Sequence, residues 1–217
     1  MVSAIQALSR IPVGFWVMLI QVFLWVNADW IYGPFAEGVK SILQIYFILF
    51  LVTYVSLGMK LPTLDRRKET LRNFMFTFIV TALFMVAVFP QFLAGQVASI
   101  EPEAIAIAYG FVFFHGFVKA YVEEVVFRFA IPMAMQLKGG LEIYAAIISS
   151  VLFGMFHMSV AFLSGNPYPV WMMVYLSLLG MVFYAVYKRF GVMGSVGCHL
   201  SYNLGVLGVL PMLISGG

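Results

Sequence analysis

The stretch YVEEVVFR, residues 121–128, places two glutamates and an arginine inside an apolar run that extends from about 104 to 137. An α-helix needs roughly 20 apolar residues to cross the core of a bilayer, and this run exceeds that length. The ionisable residues are Glu123, Glu124 and Arg128. Charged groups are costly in hydrocarbon, so each requires a partner, a water-filled cavity or a chemical task.

The whole chain has the same apolar character. Of its 217 residues, 63% are hydrophobic and 10% are charged, and its mean hydropathy is +1.01. Soluble domains carry about a quarter charged residues. The apolar runs have helical length, without the short alternation of an outer-membrane barrel. These features predict an all-α fold, a polytopic membrane helical bundle that forms a single domain over residues 1–217.

About seven transmembrane helices are predicted. The hydrophobic segments cover about 12–32, 40–59, 73–96, 104–137, 142–163, 169–187 and 191–213. The fourth would measure about 50 Å as one helix, so we expect it to tilt or break, with Pro132 as the kink. The first is interpreted as a retained transmembrane helix rather than a cleaved signal peptide. Residues 1–103 are therefore expected to hold three N-terminal membrane helices.

The basic residues predict the orientation of the bundle. The N-terminal segment and alternate loops together contain nine of the twelve Lys and Arg residues, whereas the opposite loops contain only Lys40. Because cytoplasmic loops carry an excess of Lys and Arg, the N-terminus is predicted to be cytoplasmic. The net charge of +3 is clustered in these loops, so it indicates topology rather than binding to nucleic acid. The single cysteine, Cys198, excludes an intrachain disulfide.

Helix geometry separates the two adjacent glutamates. Glu124 and Arg128 are four residues apart, so they share a helix face and are expected to form an ion pair. Glu123 is rotated by about 100° from that face. A purely structural role, in which Arg128 binds carboxylates and holds helices together, explains Glu124 and Arg128 well. It explains Glu123 poorly, because a buried carboxylate outside such a pair is costly.

Three further polar residues, His157, His199 and Asn203, lie in the later segments. Counted from the basic loops, they and Glu123 are about 15–22 Å deep at 1.5 Å per residue. Histidines that served separate packing roles would have no reason to share a depth. We therefore expect the four side chains to converge on one site in the membrane, with Phe153 buttressing the ring of His157.

The last segment has two different faces. Its small residues form a stripe that is expected to pack against another helix. The stripe consists of Gly197, Ser201, Gly205 and Gly208. His199 and Asn203 are four residues apart and point away from it, so they are free to face a cavity. The stretch GSVG at 194–197 is interpreted as packing rather than as a serine nucleophile.

The four polar residues fit two kinds of hydrolysis. A buried carboxylate can take a proton from water that a histidine helps to hold, and a second histidine with an asparagine can stabilise an oxyanion. Alternatively, Glu123, His157 and His199 can ligate zinc. The HExxH motif of many metalloproteases is absent. A peptide-binding membrane protein without enzymatic activity is a third interpretation, and residue spacing alone leaves all three open.

Three short motifs carry a resemblance to a known family. EEVVFR, FGMFH and HLSYN, at 123–128, 153–157 and 199–203, fill the patterns E-E-x-x-x-R, F-x-x-x-H and H-x-x-x-N in order. These patterns are similar to those of the CAAX-protease and bacteriocin-processing (CPBP, Abi) intramembrane endopeptidases, which include the type II CAAX prenyl endopeptidases. The resemblance covers about 120–210, within the predicted helices of 104–213.

The resemblance implies a glutamate-dependent intramembrane protease. It matches Glu123 to the catalytic glutamate, His157 to the histidine that helps activate water, and His199 with Asn203 to the oxyanion-stabilising pair. Glu124 and Arg128 match supporting residues. It favours a site without a metal cofactor, with zinc as the alternative. The implied partner is a peptide or protein with a membrane anchor or a lipidated cysteine, and the implied location is a prokaryotic plasma membrane. Some members of the family act in bacteriocin immunity.

Overall fold

A computed structural model describes six stretches of the chain, and all of them are helical. The described residues are 13–29, 36–56, 67–88, 116–136, 142–163 and 169–206, and they contain no strand. Within them, three helices are long and apolar enough to cross a membrane: Thr70–Ala87, Glu142–Ser159 and Val170–Gly205. The all-α, membrane-helical class is thereby confirmed. The count of seven helices and the cytoplasmic N-terminus stay predictions.

The chain divides into two compact units, Met1–Arg67 and Lys68–Gly217. The first unit contains helix α1, Val13–Val26, and helix α2, Ala36–Ser56, which pack against each other. Their buried side chains include Leu24, Leu43 and Phe50. The prediction of one membrane domain over the whole chain stays a prediction.

The second unit contains the segments that carry the motifs. Helix α3 is Arg67–Val88, helix α5 is Glu142–Leu163 and helix α6 is Pro169–Val206. Between α3 and α5, the described residues 116–136 form a composite helix that we call α4. Helices α5 and α6 pack along each other, and both contact the middle of α4. Their outer faces expose large apolar side chains such as Trp171 and Leu178, as expected of surfaces that meet lipid.

Helix α4 changes its winding near its centre. It is α-helical over 116–124, π-helical over Val125–Ala130 and α-helical again over Ile131–Gln136. The amide of Ile131 bonds to the carbonyl of Val126, five residues earlier. Pro132 follows at once and has no amide hydrogen to continue the α-helical ladder. The sequence placed the irregularity at Pro132, whereas the structure places it in the preceding turn, which contains Arg128.

Helix α6 is broken at Gly191, where φ is 73° and ψ is −178°. This backbone conformation favours glycine because it lacks a Cβ. The break separates the sixth and seventh predicted segments without a loop between them. Two hydrogen bonds from helix α3 reach the carbonyls on either side of the break. The Asn73 amide donates to the Phe190 carbonyl over 3.1 Å, and the Thr77 hydroxyl donates to the Gly194 carbonyl over 2.7 Å.

Glycines allow these helices to approach closely. A Cβ at Gly197 would collide with the backbone carbonyl of Phe74 on α3, and a Cβ at Gly205 would lie 2.9 Å from Met85 Cε. The predicted small-residue contact is therefore confirmed for Gly197 and Gly205. Gly208 lies outside the described residues.

Candidate active site

Six polar side chains from α4, α5 and α6 meet inside the second unit. We call them the polar cluster, which consists of Glu123, Glu124, Arg128, His157, Ser195 and His199. Both glutamates, the arginine and the serine are fully buried, and His199 is 2% exposed. His157 is the most accessible member, with 16% of its side chain exposed. Burial of this many ionisable groups is rare unless they are paired or functional.

The carboxylate of Glu123 lies between two imidazoles that belong to two other helices. Its Oε1 is 3.7 Å from His157 Nε2, and its Oε2 is 3.4 Å from His199 Nε2. The ammonium of Lys119, one helical turn earlier and one-third exposed, is 4.0 Å from Oε1. The structure thus brings together three of the four residues that the sequence placed in the catalytic site.

The ring of His157 is oriented by its own helix. Its Nδ1 is 3.0 Å from the carbonyl oxygen of Phe153. A carbonyl oxygen can only accept, so Nδ1 carries the hydrogen and a neutral ring presents the lone pair of Nε2 to Glu123. The Phe153 ring also supports the imidazole, with 4.5 Å between ring centroids. The expected contact between Phe153 and His157 is therefore present.

The ring of His199 is held by one contact at its edge and one on its face. Its Nδ1 is 2.8 Å from Oε1 of Glu124. One face stacks on Phe183, with centroids 4.5 Å apart and planes at 21°. These two contacts leave Nε2 directed toward Glu123.

Glu124 holds the centre of the polar cluster. Besides its contact with His199, its Oε2 accepts a hydrogen bond from Ser195 and lies 3.5 Å from Arg128 Nε. The sequence predicted the pairing with Arg128 but not the contact with His199, which is 75 residues away. Glu124 therefore links α4 to the helix that bears the second histidine.

The guanidinium of Arg128 is buried against aromatic rings. Its Cζ lies 4.6 Å from the centre of the Phe153 ring and 5.9 Å from that of Phe183. A cation over an aromatic face is attracted by the ring quadrupole. Gly180 leaves space for it, since a Cβ there would lie 3.3 Å from Nη2.

Asn203 lies on α6 one helical turn beyond His199 and is partly exposed. The contacts that define the polar cluster among the described residues do not include it. His115, the third histidine of the chain, lies outside the described residues.

Sequence reasoning interpreted the GSVG stretch that contains Ser195 as packing, and it gave neither Ser195 nor Lys119 a part in the site. Ser195 precedes His199 by four residues, so helical spacing alone places both on one face. Lys119 stands in the same relation to Glu123. Within the part of the chain that the structure describes, no three His, Cys, Asp or Glu side chains are arranged to hold a metal ion.

The geometry and the sequence together define the class of protein, which is a membrane-embedded helical protein with a buried carboxylate between two imidazoles. Residues 101–205 match the family described as Type II CAAX prenyl endopeptidase, Rce1-like. This match confirms the resemblance inferred from the three motifs, and it covers the motif-bearing part of the chain. The family is membrane-integral and has protease activity. No curated protein and no solved structure gave a match to the chain.

Proposed function

We propose that the protein is an intramembrane endopeptidase of the glutamate-dependent type. The observation that carries the proposal is the placement of the fully buried Glu123 carboxylate within 4 Å of the Nε2 atoms of two histidines. A stable bundle does not need such an arrangement, because a buried charge costs more than it contributes unless its geometry is well satisfied. The family match favours peptide hydrolysis as the reaction.

Glu123 and His157 act on the attacking water. The carboxylate and the unprotonated Nε2 of a neutral His157 are both acceptors, so a water between them donates one hydrogen to each. Glu123 takes a proton as this water attacks the scissile carbonyl carbon, and it returns that proton to the departing amine. His157 keeps its orientation through the bond from Nδ1 to the Phe153 carbonyl.

His199 and Asn203 stabilise the developing oxyanion. Nδ1 of His199 is engaged with Glu124, so a hydrogen on Nε2 makes the ring doubly protonated. The carboxylates of Glu123 and Glu124 flank this ring and offset its charge. Asn203 contributes an amide donor from one turn further along α6. Each donor of this kind is worth about 10²–10³-fold in rate.

The substrate is a peptide or protein with a membrane anchor or a lipidated cysteine, cut near its C-terminus in a prokaryotic plasma membrane. The family description, which names CAAX prenyl endopeptidases, supports the lipidated substrate. The prokaryotic location is part of the proposal. The exposed apolar faces of α5 and α6 suit a reaction that takes place within lipid.

The test is the cleavage rate of purified Glu123→Gln protein on lipidated and unlipidated peptides. Glutamine keeps the shape of the side chain but removes the base, so kcat is expected to fall by about 10²–10⁴-fold. Glu142→Gln is the matched control, because Glu142 lies at the surface in a pair with Lys188. Cleavage by Glu123→Gln at the wild-type rate would overturn the proposal. Absence of cleavage by both the wild type and the variant would favour a binding or immunity protein.

Zinc-dependent hydrolysis by the same residues is the second candidate, and it would require Glu123, His157 and His199 to move into a ligating arrangement that the described residues do not show. Both histidines have Nδ1 anchored and Nε2 directed at one carboxylate, which is also how histidines are held in zinc sites. Metal analysis of the purified protein separates the two. One equivalent of zinc, with loss of activity on chelation, would replace the metal-free mechanism.

A further inference from the structure

Ser195 makes contacts that are unusual for a serine in a helix. Such hydroxyls commonly bond back to the carbonyl four residues earlier. Here the fully buried Ser195 hydroxyl contacts Oε2 of Glu124 on α4 and lies 3.0 Å from the carbonyl oxygen of Phe183, twelve residues earlier. The break at Gly191 lies between Phe183 and Ser195, so the hydroxyl reaches across the break.

The two oxygens of Glu124 serve two residues on the same face of α6. Ser195 and His199 are four residues apart; Oε2 takes the serine hydroxyl and Oε1 takes His199 Nδ1. The terminal torsion of a glutamate has a broad energy profile, so its carboxylate turns unless contacts fix it. The bond from Ser195 therefore sets where Oε1 lies, and Oε1 sets the orientation of the imidazole.

We infer that Ser195 is a positioning residue: it holds the Glu124 carboxylate so that Nδ1 of His199 stays protonated and Nε2 stays directed at Glu123. The inference rests on the proposed function, since it assigns Ser195 to the reaction of that site. The hydrogen-bond contacts of Ser195 are with Glu124 and the Phe183 carbonyl rather than with Glu123 or His157. It acts through Glu124 on His199.

Two other buried serines show that burial of a serine in these helices does not by itself produce a contact with Glu124. Ser201 on the same half of α6 and Ser150 on α5 are 0% and 1% exposed. Within the described residues, neither hydroxyl has a hydrogen-bond partner. Ser201 is therefore a matched control: it has the same side chain, burial and helix without a contact to Glu124.

The kinetic test compares Ser195→Ala with Ser201→Ala. Loss of a buried hydrogen bond to a carboxylate is expected to lower kcat about tenfold for Ser195→Ala, with KM within about twofold. Ser201→Ala is expected to stay within about twofold of wild type. Ser195→Cys keeps nearly the same volume with a weak donor, so it should reproduce the loss if the alanine variant folds poorly. Equal kcat for the Ser195 variants and Ser201→Ala would overturn the inference.

A spectroscopic test does not depend on activity. The chain has three histidines, so labelling with ¹⁵N-histidine gives three imidazoles, and loss of signals in a His199→Phe variant identifies those of His199. Wild type is expected to show His199 protonated at Nδ1, and Ser195→Ala to show altered ring ¹⁵N shifts that Ser201→Ala does not. Unaltered His199 shifts in Ser195→Ala would contradict the inference. If wild type cleaves no peptide, the proposed function fails, while this measurement still decides whether Ser195 positions the ring.

Discussion

The same three helices, α4, α5 and α6, meet in two different ways. In the polar cluster, buried carboxylates, imidazoles and a guanidinium face one another at 2.8–3.7 Å. A second set, which we call the glycine contacts, brings these helices together at Gly154 and Gly180. A glycine contact follows from packing alone, because a missing Cβ lets two helices approach. The polar cluster buries charge, which packing does not explain.

The difference separates two kinds of sensitivity to substitution. A change in the polar cluster should lower the rate of catalysis in protein that remains folded. A change at a glycine contact should lower the free energy of unfolding, with the rate per folded molecule preserved. Gly180 joins the two regions, since a Cβ there would approach both Ser150 on α5 and the Arg128 guanidinium.

After Glu123→Gln, the largest effect in this comparison is expected from His199→Phe. Phenylalanine can still stack on Phe183 but has no ring nitrogen for Glu124 or for the oxyanion. We expect kcat to fall by about 10²–10³-fold, as for removal of an oxyanion donor. If His199 and Asn203 hold the same oxyanion, the double variant with Asn203→Ala should lose less than the product of the two single losses.

Cys198 provides the adjacent control for that measurement. It precedes His199 in the chain, but its thiol accepts a hydrogen bond from Thr81 on α3 over 3.2 Å, away from the polar cluster. Cys198→Ala is expected to change kcat by less than about twofold, as for a substitution outside the reacting groups. A large loss in Cys198→Ala would show that any change in this part of α6 disables the protein, and the assignment of His199 would lose its support.

An intermediate effect, on stability rather than rate, is expected from Gly154→Ala. The added Cβ would collide with the Ser177 hydroxyl and with the backbone carbonyl of Met173 on α6, and a backbone atom cannot rotate away. We expect a destabilisation of about 1–3 kcal/mol, measured by thermal or denaturant unfolding. Gly180→Ala should cost less, because its nearest contact is 3.1 Å. The reverse order would contradict the packing described for these helices.

The smallest effect is expected from Lys119→Met. Its ammonium is 4.0 Å from Glu123 and one-third exposed, so solvent weakens the attraction. Loss of a pair worth about 0.2–1 kcal/mol should lower kcat/KM by no more than about fivefold. A loss as large as that of Glu123→Gln would give Lys119 a direct part in the reaction.

Local sequence predicted much of the polar cluster. Hydropathy gave the helical class, and helical spacing gave the pairing of Glu124 with Arg128. A common depth, counted from the basic loops, indicated that Glu123, His157 and His199 would meet. These arguments need only the rise and the period of a helix, which local sequence determines.

The remaining features depend on how the helices turn against one another. The contact between Glu124 and His199 spans 75 residues, and the bond from Ser195 to Glu124 forms just after the break at Gly191. The π-helical turn before Pro132 shifts the faces of α4 in a way that a regular period of 3.6 residues does not give. Local sequence patterns do not determine how the helices are rotated against one another, because these rotations depend on tertiary contacts. The catalytic roles of Glu123, His157, His199 and Asn203 stay predictions.

The most direct test of the account is mass spectrometry of membrane proteins from cells that carry either the wild-type protein or Glu123→Gln at equal abundance. The central claim is that the Glu123 carboxylate activates water for peptide hydrolysis inside the bilayer. The account predicts at least one C-terminal fragment that is present with wild type and missing with Glu123→Gln, its precursor accumulating instead. Identical fragments and precursors in both membranes would contradict it.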